Sequence, residues 1–175
     1  MFDRRPHSIS WLAVLLVGCS SGTPDPVGPD ASAGGSVDAS NPGGGTAKVA
    51  GTITRSAAPM GDAVGDVYVA LFDRDPVTQM SQAQLVARAR IAGANLAAAN
   101  ATVPYELPDI PPRAETYYLV AFLDDNGNVD MAHPEKAGPD KGDLVSLDGL
   151  AAPKLAVTAP GTQAHNITLN SVLPF

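Results

Sequence analysis

One cysteine in 175 residues leaves the chain without an internal disulfide or a multi-cysteine zinc or iron–sulfur site. Its fold must therefore rest on packing, or on a hard metal held by oxygens. Basic residues are scarce as well: 11 Lys and Arg stand against 18 Asp and Glu, for a formal net charge of -7. A nucleic-acid partner demands clustered cations to displace counterions from phosphates, so no nucleic acid is expected. No apolar run reaches the roughly 20 residues of a membrane span. Aromatic residues make up 5% of the chain, with a single Trp. From residue 47 onward the sequence has no Gly-x-Ser-x-Gly, phosphate-binding glycine loop or His-Glu-x-x-His, so no enzyme is expected. The length suits one domain rather than two.

What is present begins with an address. Arg4 and Arg5 precede Ile9-Ser10-Trp11-Leu12-Ala13-Val14-Leu15-Leu16-Val17, followed at once by Gly18-Cys19-Ser20. A basic start, a short apolar core and a small residue before a cleavage point describe a secretory signal over residues 1–18. Leu16-Val17-Gly18-Cys19 resembles a bacterial lipobox, which implies that Cys19 becomes the lipidated first residue of the mature chain. Several acyl chains on one residue anchor stably where one would not. In lipoproteins of two-membrane bacteria, Ser20 rather than Asp after the cysteine favours the outer membrane. The expectation is a bacterial cell-envelope lipoprotein, bound to the membrane through lipidated Cys19. Cleavage removes two arginines, one aspartate and Trp11, leaving the mature chain at -8. Residues 19–46 are Gly, Ser, Pro, Asp, Asn and Ala with almost nothing apolar, and such a segment cannot bury enough surface to offset its ordering entropy. As a flexible tether it has an r.m.s. reach of about 30 Å.

From residue 47 to 175 the pattern alternates with a period of two. Val49, Gly51 and Ile53 alternate with Lys48, Ala50, Thr52 and Thr54; Val67, Val69 and Leu71 alternate with Tyr68, Ala70 and Phe72. Thr116 to Leu123 is apolar on both faces, as suits a central strand. Shorter strands are expected at Asp143 to Leu147, Leu155 to Thr158 and Ala164 to Val172. Turns fall at Ala58-Pro59-Met60-Gly61, Pro108-Asp109-Ile110-Pro111-Pro112, Gly138-Pro139 and Pro160-Gly161. Ser81 to Asn100 has a helix-favouring composition. Yet Leu85, Ala87, Ala89 and Ile91 alternate with Val86, Arg88 and Arg90, so it reads as a strand after one helical turn. The sum is an all-β antiparallel sandwich.

Val49-Ala50-Gly51-Thr52-Ile53, Val67-Tyr68-Val69-Ala70-Leu71, Tyr105-Glu106-Leu107-Pro108-Asp109-Ile110-Pro111-Pro112, Thr116-Tyr117-Tyr118-Leu119-Val120-Ala121-Phe122 and the closing Asn166-Ile167-Thr168-Leu169 together resemble the carboxypeptidase regulatory-like group of transthyretin-like sandwiches. The resemblance implies a seven-strand Greek-key module of transthyretin-like or Ig-like type. Such modules are non-catalytic as a rule and serve display, adhesion, or sugar and protein contact. Arg113-Ala114-Glu115 departs from the family's Gly turn, and residues between Asp75 and Thr102 form an insertion. The Tyr-Arg-Gly-Ser type ending of transthyretin-like hydroxyisourate hydrolases is absent from Ser171-Val172-Leu173-Pro174-Phe175.

One segment carries chemistry. Counting from Asp124, side-chain oxygens fall at positions 1, 3, 5, 7 and 12: Asp124, Asn126, Asn128, Asp130 and Glu135. These are ligand positions of a twelve-residue Ca2+ loop closed by a carboxylate. Gly127 stands at position 4 rather than 6 and no flanking helices are expected, so this is not an EF-hand. It resembles the Asp-x-Asn-Gly-Asn-x-Asp loops between strands of secreted bacterial sandwiches, and Asp140 or Asp143 could add an oxygen. The competing reading is a type I′ hairpin at Asn126-Gly127. After cleavage only His133 and His165 remain, and both read as structural or exposed. Two partner classes stay open. A glycan would need a flat ring from Tyr105, Tyr117 or Tyr118, each of which strand packing also explains. A protein partner would meet the face of Tyr68, Ala70, Phe72, Tyr118, Val120 and Phe122, unless residues 76–101 cover it.

Overall fold

The computed structural model describes residues 44–130 and 138–174. The signal segment, Cys19, most of the tether, His133 and Glu135 lie outside the described residues. Those described form ten strands and no helix: β1 (Ala47–Arg55), β2 (Val64–Phe72), β3 (Leu85–Asn95), β4 (Val103–Ile110), β5 (Tyr117–Asp124), β6 (Leu144–Val145), β7 (Lys154–Leu155), β8 (Gly161–Ala164), β9 (Ile167–Leu169) and β10 (Ser171–Val172). They make a four-stranded sheet in the order β4-β1-β8, with β9 also on β1, and a six-stranded sheet in the order β10-β6-β5-β2-β3, with β7 also on β5. The protein is an all-β, two-sheet sandwich.

Alternation decides the core. Val49 and Ile53 of β1 and Tyr105 and Leu107 of β4 face inward from one sheet; Val67, Val69 and Leu71 of β2 and Leu119, Ala121 and Leu123 of β5 meet them from the other. Each of these is buried. Lys48 and Glu106, on the outer side of the four-stranded sheet, pair at 3.0 Å where both are exposed, which adds little stability.

The chain departs from its pattern in four places. Ten segments replace seven strands because two lanes are interrupted, with β6 and β7 sharing one edge of β5 and β8 and β9 one edge of β1, and because β10 adds a further strand beside β6. β8 and β9 also run parallel to β1, where the pattern predicts antiparallel pairing throughout. The turn expected at Pro108 begins only after Ile110. Val49 pairs with Leu107 and Ala47 with Ile110, so β4 carries one extra residue, and Asp109 adopts φ +57°. A bulge at an edge strand is where a proline without an N–H is tolerated. The helical turn before β3 is reduced to single bonds, Gln79 N–H to the Asp75 carbonyl at 2.8 Å and Ala83 N–H to the Gln79 carbonyl at 3.0 Å.

Two further irregularities explain particular residues. The break between β8 and β9 falls at His165 and Asn166, and there the His165 carbonyl comes so close to Gly51 that a Cβ would lie 1.8 Å from its oxygen. The Asn166 side chain replaces the lost ladder by accepting from Thr52 N–H at 3.0 Å and the Thr52 hydroxyl at 3.1 Å. The Tyr105 hydroxyl donates to the His165 carbonyl at 2.9 Å, closing the bulge from the core side. At Arg113, where the Gly turn is missing, the guanidinium sits 3.9 Å over the Tyr117 ring and donates to the carbonyls of Asp73 and Thr116 at 2.6 Å. That cation–π contact accounts for an arginine in this turn.

Candidate functional site

β5 ends at Asp124 and pairing resumes at β6, Leu123 opposite Leu144, so residues 125–143 make a long excursion rather than a tight hairpin. Gly127 has φ +67° while Asn126 is not left-handed, which excludes the type I′ turn, since that turn needs both. Asp124 organises the start: it is buried, and its two oxygens accept from Asn128 N–H and Val129 N–H at 3.1 Å each. Asn126 Oδ1 accepts from Asn128 N–H at 3.1 Å. The amide nitrogens of Asn126 and Asn128 donate to the two oxygens of Asp140, at 2.8 and 2.5 Å.

Beneath them lies Asp143, fully buried, accepting from Asp125 N–H at 3.1 Å and Asp140 N–H at 3.0 Å. Loss of hydration pushes its carboxyl up to about 6; the two N–H donors oppose that shift, and the charges of Asp140 and Asp124 add to it. Asp125 points the other way and accepts from Gly61 N–H and Ala63 N–H at 2.7 Å, fastening the β1–β2 turn to this loop.

The structure thus brings Asp124, Asn126 and Asn128 together with Asp140 and Asp143, the two residues from the following turn. Asp130 is exposed, and Glu135 lies outside the described residues. Among the described residues no group of three or more His, Cys, Asp or Glu is placed to hold a metal ion. The donors are hard oxygens, the class Ca2+ takes. For an ion to sit between Asp140 and the two asparagines, both amides would have to turn their oxygens inward.

Elsewhere the other candidates resolve into structure. Tyr105 and Tyr117 are buried with their hydroxyls on the His165 and Pro111 carbonyls, and burial pushes the Tyr105 hydroxyl up to about 12. His165 is half-buried, and loss of hydration lowers its imidazole below the ordinary 6.5. On the outer face of the six-stranded sheet Phe72 and Phe122 are buried, while Tyr68, Ala70, Tyr118 and Val120 are half-buried. Tyr68 and Phe122 stack with centroids 5.0 Å apart. β3 extends this sheet at its edge instead of lying across it. Asp66 belongs to no motif in the sequence, yet it accepts from Gly93 N–H at 2.9 Å and Arg90 Nε at 2.7 Å. The Gly93 bond, followed by the Arg90 pair, holds its carboxyl below the ordinary aspartate value against some loss of hydration. Its role is to pin a bulge: Gly65 pairs with Ala94 and Val67 with Ile91, so β3 has one residue more than β2, with Gly93 at φ +60°.

Among solved structures, an alternative pilotin from the type II secretion system of Vibrio cholerae is similar to this chain. The two share 14% identity with a TM-score of 0.44, over 71% of this chain and 96% of that one. Likeness of that size transfers neither fold nor function. No family model matches the chain, and neither does any curated protein.

Proposed function

We propose that the protein is a non-enzymatic lipoprotein of the bacterial envelope: Cys19 carries the lipid, the following polar segment is a stalk, and the sandwich is the displayed binding or structural module, of the carboxypeptidase regulatory-like type. The observation that supports it is the junction. Among the described residues the first strand starts at Ala47, directly after the Gly- and Pro-rich segment, and the chain's one cysteine stands where a lipobox ends. Mass spectrometry of the mature N-terminus tests the anchor. A diacylglycerol-modified Cys19 and release of Cys19→Ala into the soluble fraction are expected; an unmodified N-terminus elsewhere refutes the reading. Ser20 directs the lipoprotein to the outer membrane.

Within this reading the loop from Asp124 to Glu135 is a structural Ca2+ clamp, with Asp124, Asn126, Asn128, Asp130 and Glu135 as ligands and Asp140 beside them. Neutralising its carboxylates would quiet a loop whose charges repel. Calorimetric titration with Ca2+, and melting with and without chelator, test it against Glu135→Ala. Binding that raises Tm by mass action and disappears in the variant supports the clamp; no heat up to millimolar Ca2+ refutes it. The half-buried strip of Tyr68, Ala70, Tyr118 and Val120 is the surface offered to a protein partner.

A further inference from the structure

The two ends of the sandwich differ in kind. β1 starts at Ala47, which pairs with Ile110 at the end of β4 and Gly161 at the start of β8; β2 ends and β5 begins at this same end, Phe72 opposite Tyr118. The β2–β3 loop, residues 73–84, therefore lies where the polar stalk enters. It is joined there to the 146–153 segment through buried Asp75, whose Oδ1 accepts from Val77 N–H at 2.9 Å and Ala152 N–H at 3.4 Å. These two joined loops carry three of the five exposed large apolar side chains among the described residues: Val77 at 39%, Met80 at 43% and Leu150 at 89%. At the opposite end, the length of β5 away or about 25 Å, stand Asp124, Asp125, Asp140 and Asp143.

We infer that the stalk end is a lipid-contacting surface: Val77, Met80 and Leu150 dip into the headgroup boundary of the bilayer that holds the anchor, and the acidic loop faces away from it. The inference rests on the anchor reading above. Several things favour a bilayer as the occupant. The 19–46 segment joins the domain at this end, so a short extension of the stalk brings these loops to the membrane before any other part of the domain. A tether of this length confers an effective concentration in the millimolar range, so three side chains suffice to hold the domain down. Apolar groups on loops insert readily into the boundary.

The test uses the lipidated full-length protein in vesicles of phosphatidylethanolamine and phosphatidylglycerol containing acyl-chain nitroxides. Lipidation blocks Cys19, so one introduced cysteine takes a fluorescent label. Leu150→Cys and Val77→Cys are compared with Met60→Cys, which is 65% exposed on the turn that Asp125 holds at the acidic end. Nitroxide quenching at the stalk end about threefold or more above that at Met60 is expected for groups seated about 5–10 Å into the boundary. Adding Met80→Asp should bring the Leu150→Cys signal down towards the Met60 level. Equal quenching at both ends, or none at either with Cys19 blocked, overturns the surface contact and leaves the anchor intact. A parent protein whose Cys19 itself takes the label overturns the anchor, and the contact with it.

Discussion

Asp143 offers a quantitative test of the acidic loop. Burial moves its carboxyl from 3.8 up to about 6, so between those values the folded protein keeps a proton that the unfolded chain has released. Stability from this group is fully present below pH 3.8 and falls as pH rises; above about 6 it is lost. A rise of that size corresponds to about 3 kcal/mol in all, and the portion recovered between pH 7.5 and pH 5 is about 1 kcal/mol. His165 works against it: its lowered imidazole leaves the unfolded state to protonate first, so its contribution is lost as pH falls below 6.5. The assay is therefore a difference. Urea unfolding of the parent and of Asp143→Asn, in chelator, across pH 5 to 7.5, cancels His165 and every other common group. The amide nitrogen that Asp143→Asn introduces would oppose one of the N–H donors from Asp125 and Asp140, adding a constant offset of about 1–3 kcal/mol but no slope. The parent should gain about 1 kcal/mol on Asp143→Asn as pH falls through this range. With Ca2+ present the gain should shrink, because a cation beside Asp143 keeps it ionised. A difference that stays flat in chelator would mean that Asp143 is hydrated, and the desolvation argument would fail.

Gly51→Ala drives a methyl into the His165 carbonyl and should cost more than about 3 kcal/mol, read as a lowered urea midpoint or loss of soluble protein; a loss under about 1 kcal/mol would show that the β8–β9 bulge moves freely. Tyr105→Phe leaves the same carbonyl short of a donor and should cost about 1–2 kcal/mol in urea unfolding. It should also reduce the parent's loss of stability as pH rises from 10 towards about 12, where the folded Tyr105 hydroxyl holds its proton longer than the unfolded one; burial of Tyr68 and Tyr117, which raises them too, leaves the remainder. Asp66→Ala frees the Gly93 amide and Arg90 and should speed hydrogen exchange at Gly93 and along β3, while protection in β5 stays unchanged. Asp125→Ala releases Gly61 N–H and Ala63 N–H, and faster exchange at these two amides is the readout.

The all-β class, the alternating faces of β1, β2 and β3, and the oxygen-rich excursion after β5 were legible because period-two alternation survives wherever one face is buried; β5, apolar on both faces, carried no such sign of which face turns inward. β4 was harder to delimit, since Pro108 and Asp109 carry the composition of a turn and only pairing with Ala47 and Val49 turns them into a bulge. The short segments β6 to β10 blurred because they borrow their partners. β6 and β7 share β5, β8 and β9 share β1, and Asn170 makes the change of sheet by holding both backbone groups of Leu147. Local sequence carries no record of such sharing.

For the site, spacing alone placed Asp124, Asn126 and Asn128 in one loop. It could not show that Asp143, from the far end of the excursion, would lie buried under them, nor that Asp125 would turn away to hold Gly61 and Ala63. The lipobox-like run Leu16 to Cys19, the polar composition of residues 19–46 and the alternating strands are patterns among neighbours along the chain, and the sequence carries them by itself. The burial of Asp143, the constraint on Gly51 and the gathering of Val77, Met80 and Leu150 at the stalk end depend on strands distant in sequence meeting in space, and only the tertiary structure decided them.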